Sequence, residues 1–197
     1  MSWPPHELVL RTPRLTLCGL TEQLALELAE VLPPDVELDP ALTLGDRAVG
    51  VLQAYSRTVA TWSREDWVLP FAVRADERLV GLQGLEGRQF AVRREVETHS
   101  WLVPAARGRG IGREMRAAVL ALAFGPLGAT RAVTEAWEDN GPSLGVSRSL
   151  GYVPNGTQVV LRDGVPDVMV RMVLTDPDLP PVEVTGLEPC LPLVGLA

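Results

Sequence analysis

The chain of 197 residues contains no lysine: all 18 basic residues are arginine, and Ile111 is the only isoleucine. Both gaps read as codon usage rather than chemistry. Histidine and cysteine are scarce, at two each. His6 and His99 cannot build a histidine-rich zinc site and no Cys-x-x-Cys occurs, so no metal is expected. Cys18 and Cys190 lie far apart, and in a reducing compartment such thiols are buried or idle rather than bridged. Cys18 falls in a strand-like run and is expected in the core. No apolar run is long enough for a bilayer-crossing helix, so no membrane partner is expected. The first residues, MSWPPHELVLRTPR, lack the charged start and apolar core of a secretory signal, which points to a cytoplasmic location. A basic face is missing too. The net charge is −7 and the arginines are scattered, which disfavours nucleic acid and suits a cationic amine.

What is present fits a soluble globular chain: 46% hydrophobic and 22% charged residues, at a length that buries its own core. Residues 14–19 alternate and read as a first strand. Residues 21–31 read as a helix capped by Thr21, with Leu24, Leu28 and Val31 on one face. Residues 32–45, rich in proline and acid, read as a loop. Asp46 opens a second helix to about Trp62, along which Ala48, Leu52, Tyr55, Val59 and Trp62 form a stripe. Residues 67–74 and 78–85 form a hairpin about Ala75-Asp76-Glu77, with Pro70 making the first strand an edge or a bulge. Further strands follow at 95–103 and 130–137, and helices run from Gly110 to about Phe124 and over 142–150. A final hairpin, 151–161 with 165–174, turns at Asp163-Gly164. The expected fold is a mixed α/β domain whose mostly antiparallel sheet is flanked by helices. Residues 1–175 are read as that single domain. Residues 176–197 are read as a proline-rich tail, extended and draped or mobile.

The segment richest in chemistry is Ala106-Arg107-Gly108-Arg109-Gly110-Ile111-Gly112-Arg113. It joins a strand to a helix whose buried face is Ile111, Met115, Ala118 and Leu122. Glycines allow a sharp turn and close approach of a ligand to the main chain. Free N–H groups at the helix start, with the positive end of the helix dipole, suit a pyrophosphate. Arg107, Arg109 and Arg113 add charge. A Rossmann fingerprint is excluded because no parallel βαβ series surrounds the motif. A P-loop is excluded because no Gly-Lys-Ser/Thr follows.

Arg107-x-x-Gly110-x-Gly112 resembles the Gln/Arg-x-x-Gly-x-Gly/Ala signature of the GNAT superfamily of N-acyltransferases. Three more stretches agree in spacing with its RimJ/RimL-type branch. They are Leu10 to Leu17 (LRTPRLTL), Glu97 to Pro104 (ETHSWLVP), and Asn140-x-x-Ser143-x-x-Val146 leading to Leu150-Gly151-Tyr152. The resemblance covers roughly residues 10–174. It implies direct transfer of an acyl group from acetyl-CoA, or another short acyl-CoA, to a primary amine of a small molecule or a protein N-terminus.

The resemblance also implies site residues. Gly108 to Arg113, with Arg107, would cradle the CoA pyrophosphate. A backbone N–H of Leu102 or Val103 would hold the oxyanion, and Asn140 would bind the pantetheine. Ser143 would face the thioester sulfur as the acid; the tyrosine often found four residues later is replaced by Ser147. Glu97 matches the family's glutamate and would act as base. His99 stands where the branch has glycine, and Ser100 where it has an aromatic residue. By strand alternation Glu97, His99 and Trp101 share a face, and the pKa of histidine suits a base near neutrality. Trp62, Trp67 and Trp101 could line an acceptor pocket, with Glu135 attracting a cation. A homodimer is left open. The rival reading is a non-catalytic CoA-binding or scaffolding module with the same fold.

Overall fold

The computed structural model describes residues 3–36 and 47–196. The expected first strand forms as β2 (Leu15–Gly19), and a short strand before it, β1 (Val9–Arg11), pairs with it antiparallel. Pro13 lies in the turn between them, where its fixed φ and missing N–H cost no ladder bond. Thr21 caps α1 (Glu22–Glu30), its side chain accepting from Leu24 N at 3.2 Å. On this helix Ala25 and Leu28 are buried, whereas Val31 at its end is 38% exposed. Then comes α2 (Arg47–Ala60); its expected opening at Asp46, and most of the preceding loop, lie outside the described residues. The α2 stripe is shallower than its spacing predicts. Leu52 and Tyr55 pack towards α1, but Val59 is 41% exposed.

The hairpin of β3 (Asp66–Ala75) and β4 (Arg78–Arg88) forms as expected, with Asp76 and Glu77 at φ 48° and 61°. Two successive left-handed residues give the turn whose twist matches the strands. Pro70, however, is not on an edge strand, because β3 lies between β2 and β4. Its carbonyl accepts from Leu20 N just past the end of β2, so its missing N–H faces the same side, where no partner strand remains. A one-turn helix, α3 (Phe90–Arg93), leads into β5 (Glu95–Leu102). Next come α4 (Ile111–Phe124), β6 (Arg131–Trp137) and α5 (Gly141–Ser149). The hairpin of β7 (Val153–Arg162) and β8 (Val165–Leu174) turns at Asp163 and Gly164, both at positive φ.

The strands form one sheet in the order β7-β8-β6-β5-β4-β3-β2-β1, closed by β9 (Glu183–Thr185). β9 pairs antiparallel with β1, and the segment Glu188–Val194 then buries Cys190 and Val194 completely. The tail is thus draped and anchored. Cys190, not Cys18, is the core cysteine. Cys18 is half-buried because its alternate position on β2 turns it away from the core face. Among the described strands only β5 and β6 pair in parallel. On one face of the sheet α4 packs through Ile111, Met115, Ala118, Val119 and Leu122. The other face carries α1 and α2 over Ala72, Leu79, Leu82 and Trp101.

Candidate active site

β5 and β6 touch only at their beginnings. Their register runs Glu95↔Arg131, Val96↔Ala132 and Glu97↔Val133 and then stops. Thr134 Oγ1 donates to Thr98 O at 3.1 Å, a last stitch before the strands part. Beyond it the facing backbone edges of β5 and β6 form a V whose open end looks toward the turn before α4.

At that turn Gly108 and Gly110 sit at φ 69° and 78°, the left-handed region open to glycine. Gly112 does not share this conformation; it is an ordinary helical residue, and a Cβ there would lie 3.6 Å from Leu102 and Val146. With Gly110 as N-cap, the N–H groups of Gly110, Ile111, Gly112 and Arg113 precede the first intrahelical bond, made by Glu114 N to Gly110 O at 3.1 Å. None of the four has an acceptor among the described residues. Four unengaged donors at the positive end of a helix are the arrangement that suits an anion.

The arginines around it are not equivalent. Arg107 donates from Nε to Leu102 O at 2.9 Å and grips Asp35 with both terminal nitrogens at 2.6 and 3.0 Å. Arg109 and Arg113 are exposed on the rim. Sequence reasoning missed Arg14. Its Nε bonds Glu114 at 2.6 Å, and its NH1 holds the Arg109 carbonyl at 3.1 Å, so a charge from the β1–β2 turn stands beside Gly110. Burial raises the Glu114 carboxyl, but hydrogen bonds from Thr12 and Arg14 more than offset it and hold its pKa below the ordinary value. Thr12 and Arg14 lie within the motif of residues 10–17, but nothing local joins them to a residue a hundred positions away.

Val103 N donates to Val80 O at 2.9 Å and is spent as a donor. This corrects one of the two candidates for the oxyanion. In an antiparallel ladder alternate residues turn their N–H groups to opposite sides, so Leu102 N points away from β4, toward the V. Asn140 acts as N-cap of α5, its Oδ1 accepting from Ser143 N at 3.1 Å. Ser143 is half-buried on the first turn of α5. Tyr152 is a core residue, 3% exposed.

On the α1–α2 face, at the vertex of the V, opens a cleft of about 330 Å³ lined by Glu86, Arg88, Glu95, Glu97, Glu135 and Arg171, among others. Three of its carboxylates are paired. Glu86 binds Arg88 at 2.5 Å, Glu95 binds Arg93 and Arg131, and Glu135 binds Arg171 at 2.9 Å and accepts from Gln158 at 2.7 Å. Glu97 alone makes no ion pair or side-chain hydrogen bond among the described residues. Burial, and then the charges of Glu86 and Glu135, raise its pKa, while Arg88 and Arg171 oppose them.

His99, two residues on, lies over Gly84 of β4: a Cβ at Gly84 would come within 2.1 Å of its ring. The ring keeps an open surface although protein crowds it closely. That crowding lowers its pKa and outweighs the pull of Glu86. Trp101 packs further along the same face. Trp62 is elsewhere: its Nε1 donates to Leu193 O at 2.9 Å and its ring meets Trp3 edge-on, so it belongs to the tail packing and not to the cleft. Trp67 is buried against Phe90. Among the described residues no cluster of His, Cys, Asp and Glu is arranged to hold a metal ion, and no helix is long and apolar enough to cross a membrane.

A family model described as an acetyltransferase (GNAT) domain matches residues 14–153. The solved structure of Mycobacterium smegmatis RimJ in complex with CoA-disulfide superposes with a TM-score of 0.71 at 19% identity, covering 89% of this chain and 90% of that one. A variant of the spermidine N-acetyltransferase SpeG from Vibrio cholerae gives 0.68 at 17% identity, covering 83% and 95%.

Proposed function

Because the chain belongs to the acetyltransferase (GNAT) domain family, it is an acetyl-CoA-dependent N-acetyltransferase, and we propose that its acceptor is a primary amine entering the cleft at Glu97. The observation that carries this reading is the single unpaired carboxylate at the vertex of the β5–β6 V.

The free amides of Gly110 to Arg113, supported by Arg14, would hold the pyrophosphate. The unpaired edges of β5 and β6 would receive the pantetheine amides and bring the thioester carbonyl to the vertex. Glu97 takes a proton from the incoming ammonium, directly or through a water, and leaves a neutral amine. Its raised pKa makes it a stronger base than an ordinary carboxylate. The amine nitrogen bonds the carbonyl carbon. Leu102 N–H donates to the oxygen as it gains charge. When the C–S bond breaks, the electron pair goes to sulfur and Ser143 donates a hydrogen bond to it. His99, with its lowered pKa, is neutral at pH 7 and serves as a polar wall rather than as the base.

A cleft of this size admits a small polar amine or the first residue of a peptide, and the similar SpeG structure is that of a spermidine N-acetyltransferase. The test is release of free CoA from acetyl-CoA across a panel of polyamines, amino-acid derivatives and peptides with free N-termini. Turnover with at least one primary amine, strongly reduced in Glu97→Gln, is expected. CoA binding without turnover on any amine would favour the non-catalytic alternative.

A further inference from the structure

Behind β5, on the α4 face, lies a charge that the reaction above does not use. Arg116 of α4 is 4% exposed and has no carboxylate partner among the described residues. Its NH1 donates to Ser147 Oγ at 2.8 Å and its NH2 to Ser100 Oγ at 3.3 Å, while Nε is buried without an acceptor among the described residues. Taking a guanidinium out of water without an anion is costly, so its retention calls for an anion that arrives later. Among the described residues the ionisable groups within its electrostatic reach are Tyr152 and, through the strand, His99, and no carboxylate.

Its two contacts straddle the V. Ser100 lies on β5 beyond the vertex, and Ser147 lies on α5, one turn after Ser143. A guanidinium only donates, so both hydroxyl oxygens accept from it and must turn their own protons elsewhere. Ser147 Oγ donates to Ser143 O at 3.1 Å, fixing the first turn of α5. The hydroxyl of Ser100 has no acceptor among the described residues, which leaves a donor polarised by a buried cation at the wall of the split.

We propose that Arg116 stabilises the departing CoA thiolate by polarising the Ser100 hydroxyl, which donates to the sulfur opposite Ser143. The C–S electron pair goes to sulfur, the amine loses its remaining extra proton to solvent, and the thiolate leaves to be protonated in water. Arg116 is a positioning residue here, and Ser100 is the group that meets the anion. The inference rests on the CoA reading of the V.

The experiment titrates the thiol of bound CoA by thiolate ultraviolet absorbance, as the difference between protein with and without CoA. Cys18 and Cys190 interfere little, since burial raises both thiols, Cys190 to about 11. In the parent the bound thiol should titrate about one pH unit or more below free CoA. Arg116→Met, Arg116→Gln and Ser100→Ala should return it most of the way to the free value, whereas Arg116→Lys should keep most of the shift. The same charge loss should lower kcat at least about tenfold with little change in the KM for acetyl-CoA. A merely structural Arg116 would move the melting temperature and leave the thiol titration alike in every variant that binds CoA, and that result would overturn the inference. A parent that binds no CoA would overturn the reading of the V itself, and this inference with it.

Discussion

Glu97 of β5 stands directly opposite Glu86 of β4, and of the two only Glu86 holds an arginine, Arg88 at 2.5 Å. Two carboxylates facing across a ladder repel, so the fold carries an electrostatic cost at the residue proposed as the base.

That cost has a sign in stability. The folded pKa of Glu97 lies above its unfolded value, so folding binds this proton more tightly, and ionisation weakens the fold as pH rises from the unfolded pKa through the folded one. Glu97→Gln should therefore raise stability by about 0.2–1 kcal/mol at neutral pH, the usual size of a like-charge cross-strand term. The gain should vanish below both pKa values. Urea unfolding at neutral and acidic pH measures it. A variant less stable at neutral pH would mean that Glu97 has a stabilising partner.

Gly110 and Gly112 separate strain from ligand contact. Gly110→Asp places a side chain at positive φ, at a cost of about 1–2 kcal/mol. Gly112→Asp meets no such strain and has ordinary contacts around its Cβ. Both put a negative charge where an anion should bind, so both should weaken CoA binding at least about tenfold, with Gly112→Asp keeping nearly the parent melting temperature. Calorimetric titration with CoA decides, and unchanged affinity in folded Gly112→Asp would remove this loop from the site.

Arg14 braces the loop from β1–β2. Its pair with Glu114 is partly exposed and contributes about 1 kcal/mol or less to stability. Arg14→Ala should thus leave the fold nearly intact while raising the KM for acetyl-CoA several-fold, because the Arg109 carbonyl loses its anchor. Equal KM values in parent and variant would show that the loop holds its shape without it.

Gly84 leaves room for the His99 ring. Gly84→Ala should push the ring aside and raise the KM for the amine, whereas in a His99→Ala background the same methyl should have little effect. Such non-additivity is the mark of direct contact, and additive effects in a double-mutant cycle would place His99 away from the acceptor.

Much of this was legible in the chain. Alternation along residues 95–103 put Glu97 and His99 on one face, and the spacing of Gly108 to Gly112 set the turn before α4, because both depend on neighbours in sequence. The pairing of Glu97 with Glu86 was not legible, since it depends on the β4–β5 register. Nor was the Arg14–Glu114 clamp, which joins segments a hundred residues apart. Trp62 misled because a helical stripe reports burial without naming the partner, which proved to be the tail. Val103 and Leu102 could not be told apart until the ladder fixed which N–H faced β4. Arg116 lies among the apolar residues of α4, where periodicity predicts a buried position but not a buried charge.

The most direct test is the pH dependence of kcat/KM for acetyl transfer to any accepted amine, in the parent, Glu97→Gln, Glu86→Gln and His99→Ala. The parent should show an acidic limb set by Glu97 above the ordinary carboxylate range. Glu97→Gln should abolish that limb and lower kcat/KM about a hundredfold or more. Glu86→Gln should move the limb to lower pH, because it removes a charge that raises the pKa of Glu97. His99→Ala should leave the limb in place. A limb unchanged in Glu97→Gln, or lost in His99→Ala, would contradict Glu97 as the base.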